Sequence, residues 1–148
     1  VPVAAIDRIE GSHVEQLVDL FAGEWWSAGR DLAAVHEVLA DSQITRGLVE
    51  GDQLVAFARV TGSLVDDATL LDVIVRPDRR GEGLGALLVD TALGDHRLAR
   101  LRGPITLRCR VDLASFYERW GFVVLHPTPP DPVRGDGVVM RRHGPRPL

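Results

Sequence analysis

The stretch "VRPDRRGEGLGALLVD", Val75 to Asp90, sets two arginines before three alternating glycines and an apolar helical run. Gly81, Gly83 and Gly85 remove side chains that would hold an anion away from the backbone, and they reach positive φ without penalty. The N–H groups of Arg80, Gly81, Gly83, Leu84, Gly85 and Ala86 then open a helix N-terminus. Unpaired donors and the helix dipole favour a pyrophosphate there. Arg79 and Arg80 add positive charge. Backbone donors do the binding, so the side chains of Glu82 and Leu84 are free to vary.

Three phosphate motifs compete for this loop. A P-loop requires a lysine after its last glycine, and the chain has none. Gly81, Gly83 and Ala86 satisfy the dinucleotide pattern G-x-G-x-x-G/A. That loop usually opens the first βα turn and is followed by an acid about 20 residues on. Here several strands precede it, and the downstream segment "ARLRGPITLR" holds no acid. The third pattern, R-x-x-G-x-G/A entered by Val-x-Pro, is met by Arg80, Gly83 and Gly85.

Other residues have types that can do chemistry. Asp72 is the one acid inside the apolar strand "ATLLDVIV". A buried carboxylate there serves as a base or substrate anchor, or it pairs with an arginine such as Arg59 across the sheet. Alternation puts Asp72 on the face opposite Val73 and Val75, so its direct use requires a bulge or a water. Trp25 and Trp26 are adjacent and cannot share one helix face. Either one is core and the other lines a cleft, or both are structural. In the same segment Glu24 and Asp31 can attract an ammonium and Arg30 a carboxylate. Cys109 lies in an apolar strand and reads as a small hydrophobe before a nucleophile. Ser42 reads as a turn residue and His36 as surface or core. The five histidines are scattered and no metal site is indicated.

The elements that must position these residues follow from periodicity and punctuation. Ser12 and Glu15 form a capping-box pattern opening a helix over 12–22, with Val14, Leu17, Val18 and Phe21 on one face. Asp31 caps a second helix over 31–41 with Leu32, Val35, Val38 and Leu39 inward. "TRGLVEG" and "QLVAFARVTG" are strands joined at Gly51-Asp52. "ATLLDVIV" and "PITLRCRV" are strands flanking a helix over 86–93. "LASFYERW" is a short helix stopped by Gly121. "FVVL" and "GVVM" close the chain across the loop "HPTPPDPVRGDG". With a first strand in "VPVAAIDRI", the order is β-α-α-β-β-β-α-β-α-β-β. That is a mixed α/β (α+β) sheet, with antiparallel hairpins first and a right-handed crossover at residues 75–105. Residues 1–143 are expected to form a single domain and 144–148 a flexible tail.

At 148 residues, 45% hydrophobic and 26% charged, the chain can build one packed core. The net charge of −4 argues against a nucleic-acid or membrane surface. All 17 basic residues are arginine, which reads as a GC-rich, bacterial genome. A single cysteine excludes an internal disulfide framework and fits a reducing cytoplasm. No apolar run reaches the roughly 18 residues that span a bilayer. No basic segment followed by an apolar run suggests a signal peptide.

The segment "SFYERWGF", residues 115–122, pairs with the glycine loop across an intervening strand. Together, R-x-x-G-x-G/A and F-Y-x-x-x-G-F resemble the two signatures of the GCN5-related N-acetyltransferase (GNAT) superfamily, whose fold has the element order above. The resemblance implies acetyl-CoA as cofactor and direct transfer to a primary amine, without an acyl-enzyme. It implies that the backbone of Val73 and Val75 pairs with the pantetheine arm and that an N–H of that strand meets the oxyanion. Tyr117, the chain's one tyrosine, would be general acid to the departing thiolate. The acceptor site would be built by the first two helices, bringing in Trp25, Trp26 and Arg30, and by loops near the last strands. The acceptor is a small amine, or a peptide amine at a protein N-terminus or lysine. A non-catalytic acyl-CoA-binding module is the competing reading. Homodimers are common in the family, although the chain carries no interface signature. One departure is the segment "CRVDLASFY", where many members have an asparagine; here Asp112 can cap the helix instead.

Overall fold

A computed structural model describes residues 2–132 and 135–143. Seven strands form one mixed sheet in the order β1-β2-β3-β4-β5-β7-β6. They are β1 (Val3–Ile6), β2 (Ile44–Glu50), β3 (Gln53–Thr61), β4 (Ala68–Val75), β5 (Pro104–Arg110), β6 (Val123–Pro127) and β7 (Gly137–His143). The helices are α1 (Ser12–Ala22), α2 (Leu32–Ala40), α3 (Leu84–Leu93) and α4 (Ala114–Glu118). The element order is the one the sequence predicts. The chain divides into two compact units: residues up to Thr61 with Asp72–Asp95, and Gly62–Leu71 with residues from His96 onward. The segment 144–148 lies outside the described residues.

In the first unit β1, β2 and β3 form an antiparallel meander. Val14, Leu17, Leu20 and Phe21 repeat at helical spacing, so α1 buries one stripe against Val49, Leu54, Phe57 and Ile74. Phe21 meets Phe57 edge-on at 5.8 Å between ring centres. Leu54 to Ala58 of β3 are all buried, as their unbroken apolar run requires, and α3 also packs on β2 and β3. Two details of the helices differ from expectation. Gly11, not Ser12, is the α1 cap, and no side chain caps that end. At the start of α2 Asp31 caps as expected, accepting from the Ala34 N–H at 2.9 Å, but Leu32 is exposed and only Val35 of that helix is fully buried.

In the second unit β4 and β5 are parallel, with Ala68 opposite Ile105 and Thr69 opposite Thr106. Antiparallel β7 lies between β5 and β6. Ile105, Leu107, Phe122, Val138 and Met140 are buried. Gly103 is obligatory: a Cβ there would stand 1.6 Å from the Asp66 carbonyl oxygen.

Candidate functional site

The glycine loop lies in the first unit. Pro77–Arg79 form one 3-10 turn, Arg80 is extended, and Gly81 and Gly83 take φ of 83° and 82°. Only glycine adopts that conformation freely. Gly83 is the left-handed cap of α3, which begins at Leu84, two residues before the predicted start. Leu84, Gly85 and Ala86 therefore form its first turn, and no side chain caps their N–H groups. No atom lies within 4 Å of where a Cβ would sit on Gly81 or Gly83. The loop thus presents backbone donors and the positive end of a ten-residue helix dipole to open space.

The positive charge expected from Arg79 and Arg80 is already engaged. Arg79 holds Glu50 through two bonds, 3.0 and 2.8 Å, and Glu82 through two more, 3.0 and 3.2 Å. These bonds hold the Glu50 carboxyl below the usual carboxylate range and push the Arg79 guanidinium up. Arg80 donates Nε to the Val75 carbonyl at 3.1 Å and pairs with Glu24 through Nη2. Four acids, Asp78 and Glu82 from the loop itself and Glu24 and Glu50 from elsewhere in the chain, meet Arg76, Arg79 and Arg80. An anion here finds backbone dipoles first and must compete for Arg80.

Asp72 stands at φ 54°, the left-handed region, in the middle of β4. Its side chain is 8% exposed and carries two guanidiniums. Arg59 Nε donates to Oδ2 at 2.6 Å, Arg30 Nη1 to the same oxygen at 2.9 Å, and Arg30 Nη2 to Oδ1 at 3.4 Å. The Arg59 pairing was one of the sequence alternatives. The Arg30 arm was missed: nothing local links residues 42 apart, and Arg30 was expected to take a substrate carboxylate. Arg30 also stacks over Phe21 at 4.6 Å and Trp26 at 5.8 Å. Trp26 packs against the core while Trp25 is 50% exposed. Arg30, Arg59, Ala34, Val38, Glu37 and Asp41 line an open cavity beside this cluster.

Tyr117 lies in the second unit among Phe116, Trp120 and Phe122, with its ring 5.0 to 6.4 Å from theirs. It is buried, and burial pushes its phenol well above the usual tyrosine range. Cys109 is half-buried with Sγ 3.8 Å from the Met140 sulfur, and burial and Asp112 push its thiol up to about 11. Asp112 does not cap α4: its carboxylate takes both donors of Arg110, at 3.1 and 2.6 Å, and Leu113 stands at the cap. Ser42 donates to the Val38 carbonyl at 2.6 Å, and His36 is exposed. Among the described residues no metal-ligating cluster occurs and no helix is long and apolar enough to cross a membrane.

Comparison with known proteins identifies this frame. Residues 40–124 match the model of the acetyltransferase (GNAT) domain. The uncharacterized N-acetyltransferase ycf52 of Pyropia yezoensis is 34% identical over 110 residues, covering 72% of this chain and 60% of that protein. Among solved structures, Escherichia coli ElaA superposes with a TM-score of 0.75 at 21% identity, covering 96% of this chain and 100% of that one. An aminoglycoside 6'-N-acetyltransferase complexed with coenzyme A superposes at 0.73 and 20% identity, covering 97% of each chain. These two likenesses show the fold. The chain belongs to the GNAT acetyltransferase domain family. It spans about 60% of the length of the ycf52 proteins it matches from Pyropia yezoensis and Porphyra purpurea.

Proposed function

We propose that the protein transfers an acetyl group from acetyl-CoA to a primary amine by direct attack, working as one domain over residues 1–143. The observation that carries this is the uncapped first turn of α3 behind two left-handed glycines, a backbone cradle suited to a pyrophosphate. Arg80, Gly81, Gly83, Leu84, Gly85 and Ala86 hold the coenzyme A pyrophosphate mainly through N–H groups. The backbone of Val73 and Val75 pairs with the pantetheine arm. The short register of β4 with β5, two residue pairs, supports that assignment.

Bound acetyl-CoA supplies an acyl thioester; a C–N bond forms to the neutral amine as the C–S bond breaks. A backbone N–H of the Val73–Val75 segment stabilises the developing oxyanion. Tyr117 is general acid to the departing thiolate. Its upward shift keeps the phenol protonated, so the proton is on hand to be donated to the thiolate as it develops. The proton lost by the amine goes to water, since both oxygens of Asp72 are already bonded to arginine. The acceptor, a small amine or a peptide amine, enters beside Trp25, Trp26 and Arg30. A cytoplasmic setting and a homodimer belong to the same proposal. Tyr117→Phe tests the chemistry: turnover falls by roughly 10²-fold with acetyl-CoA affinity little changed. Unchanged turnover would remove Tyr117 from the mechanism.

A further inference from the structure

We infer that Arg30 and Arg59 make Asp72 a positioning residue: together they clamp the left-handed conformation of residue 72, which aims the Val73 N–H at the acyl oxygen. The inference rests on the acetyl-transfer reading above. A residue at positive φ cannot continue the pleat of a strand, so the peptide leaving it is re-aimed. In β4 that peptide is the one joining Asp72 to Val73, whose φ at residue 72 is 54°. The segment beyond is pinned at two further points. Ile74 is 3% exposed in the first unit's core, and the Arg76 N–H donates to the Val55 carbonyl at 2.8 Å. Between these anchors the direction of the Val73 amide depends on what holds residue 72.

Three attachments hold it, from two elements. Arg59 reaches it from β3, and Arg30 reaches it with both terminal nitrogens from the segment between α1 and α2. Arg30 is itself fixed by the faces of Phe21 and Trp26. Asp tolerates the left-handed region better than most residues, and here its side chain is also the handle by which that conformation is held. A general base needs a free oxygen facing the amine. Both Asp72 oxygens instead face arginine, so the carboxylate works through the backbone it belongs to.

Three substitutions separate conformation from chemistry. All three delete a base, but Asp72→Asn keeps a side-chain oxygen for an arginine and accepts positive φ, whereas Asp72→Gly and Asp72→Ala remove the handle. The assay is thiol release from acetyl-CoA with a panel of alkylamines, arylalkylamines, aminoglycosides and peptide N-termini, with kcat and KM taken for the best acceptor. Asp72→Gly and Asp72→Ala are expected to lose roughly 10²-fold in kcat, as for a misplaced catalytic group, with most of that loss recovered in Asp72→Asn. The acidic limb of the pH–kcat/KM profile stays in place in the Asn variant. An equal kcat loss in all three, or a lost acidic limb, overturns the inference in favour of a base. A change confined to KM overturns it in favour of an acceptor anchor. Absence of thiol release from the unmodified protein overturns the acetyl-transfer reading itself, and the inference with it.

Discussion

Gly83 has the conformation that leaves the α3 N-terminus open. At φ 82° it turns the chain into the helix without a side chain at the cap, and a Cβ there would enter open space. Gly83→Ala should therefore cost only the left-handed penalty in folding, about 1–2 kcal/mol. It should weaken acetyl-CoA binding at least 10-fold by calorimetric titration, because the added methyl enters the space assigned to the pyrophosphate. Unchanged affinity would take the loop out of the donor site. Cys109 makes the opposite case, a reactive type in an inert setting. Its thiol is raised from 9.0 to about 11, so the folded state holds the proton. Its contribution to stability is intact below pH about 9 and declines as pH rises toward about 11. Alkylation by iodoacetamide at about pH 8 should be much slower in the native than in the unfolded protein, and Cys109→Ala should keep acetyl transfer; rapid native alkylation would contradict this. At this scale the sequence was legible in its backbone-permissive residues, since Gly81 and Gly83 both take positive φ. It was silent on Arg30 with Asp72 and on Arg80 with Glu24, because such pairs depend on tertiary approach.

Among the elements, α1 was readable because one apolar stripe at helical spacing must be buried whichever residue caps it. Its cap was misread because Ser12 and Glu15 fit a capping box by type while the chain enters through Gly11 at φ 59°. The start of α3 was placed late for a related reason. Gly-Leu-Gly has weak helical propensity, yet packing of Leu84, Leu88, Val89 and Ala92 sets the helix boundary. β3 reads as a buried strand from its unbroken apolar run, and Phe57 is its largest fully buried side chain. Phe57→Ala removes the ring that meets Phe21 edge-on and should cost about 3–5 kcal/mol in urea unfolding. A loss below about 1 kcal/mol would mean that the core on α1 does not depend on this contact. What the elements did not announce is the left-handed residue within β4. Asp72 in an apolar strand is a visible anomaly, but neither its positive φ nor its two arginine partners can be read from its type.

For the whole molecule, element order pointed to a mixed α/β sheet with a right-handed crossover, and the resemblance of the glycine loop and "SFYERWGF" to the family's two signatures pointed to its fold. The net charge of −4 is distributed so that arginines are consumed internally, in the loop and at Asp72. The donor half of the proposed reaction therefore rests on backbone geometry, and the proposed acceptor half on side chains such as Arg30, whose pairing depends on tertiary approach. The most direct test of the account is thiol release from acetyl-CoA across the amine panel, with the product read by mass spectrometry. The account predicts amine-dependent release with one acetyl group found on the acceptor. Saturable binding of acetyl-CoA with no release across the whole panel would contradict it and leave an acyl-CoA-binding module in its place.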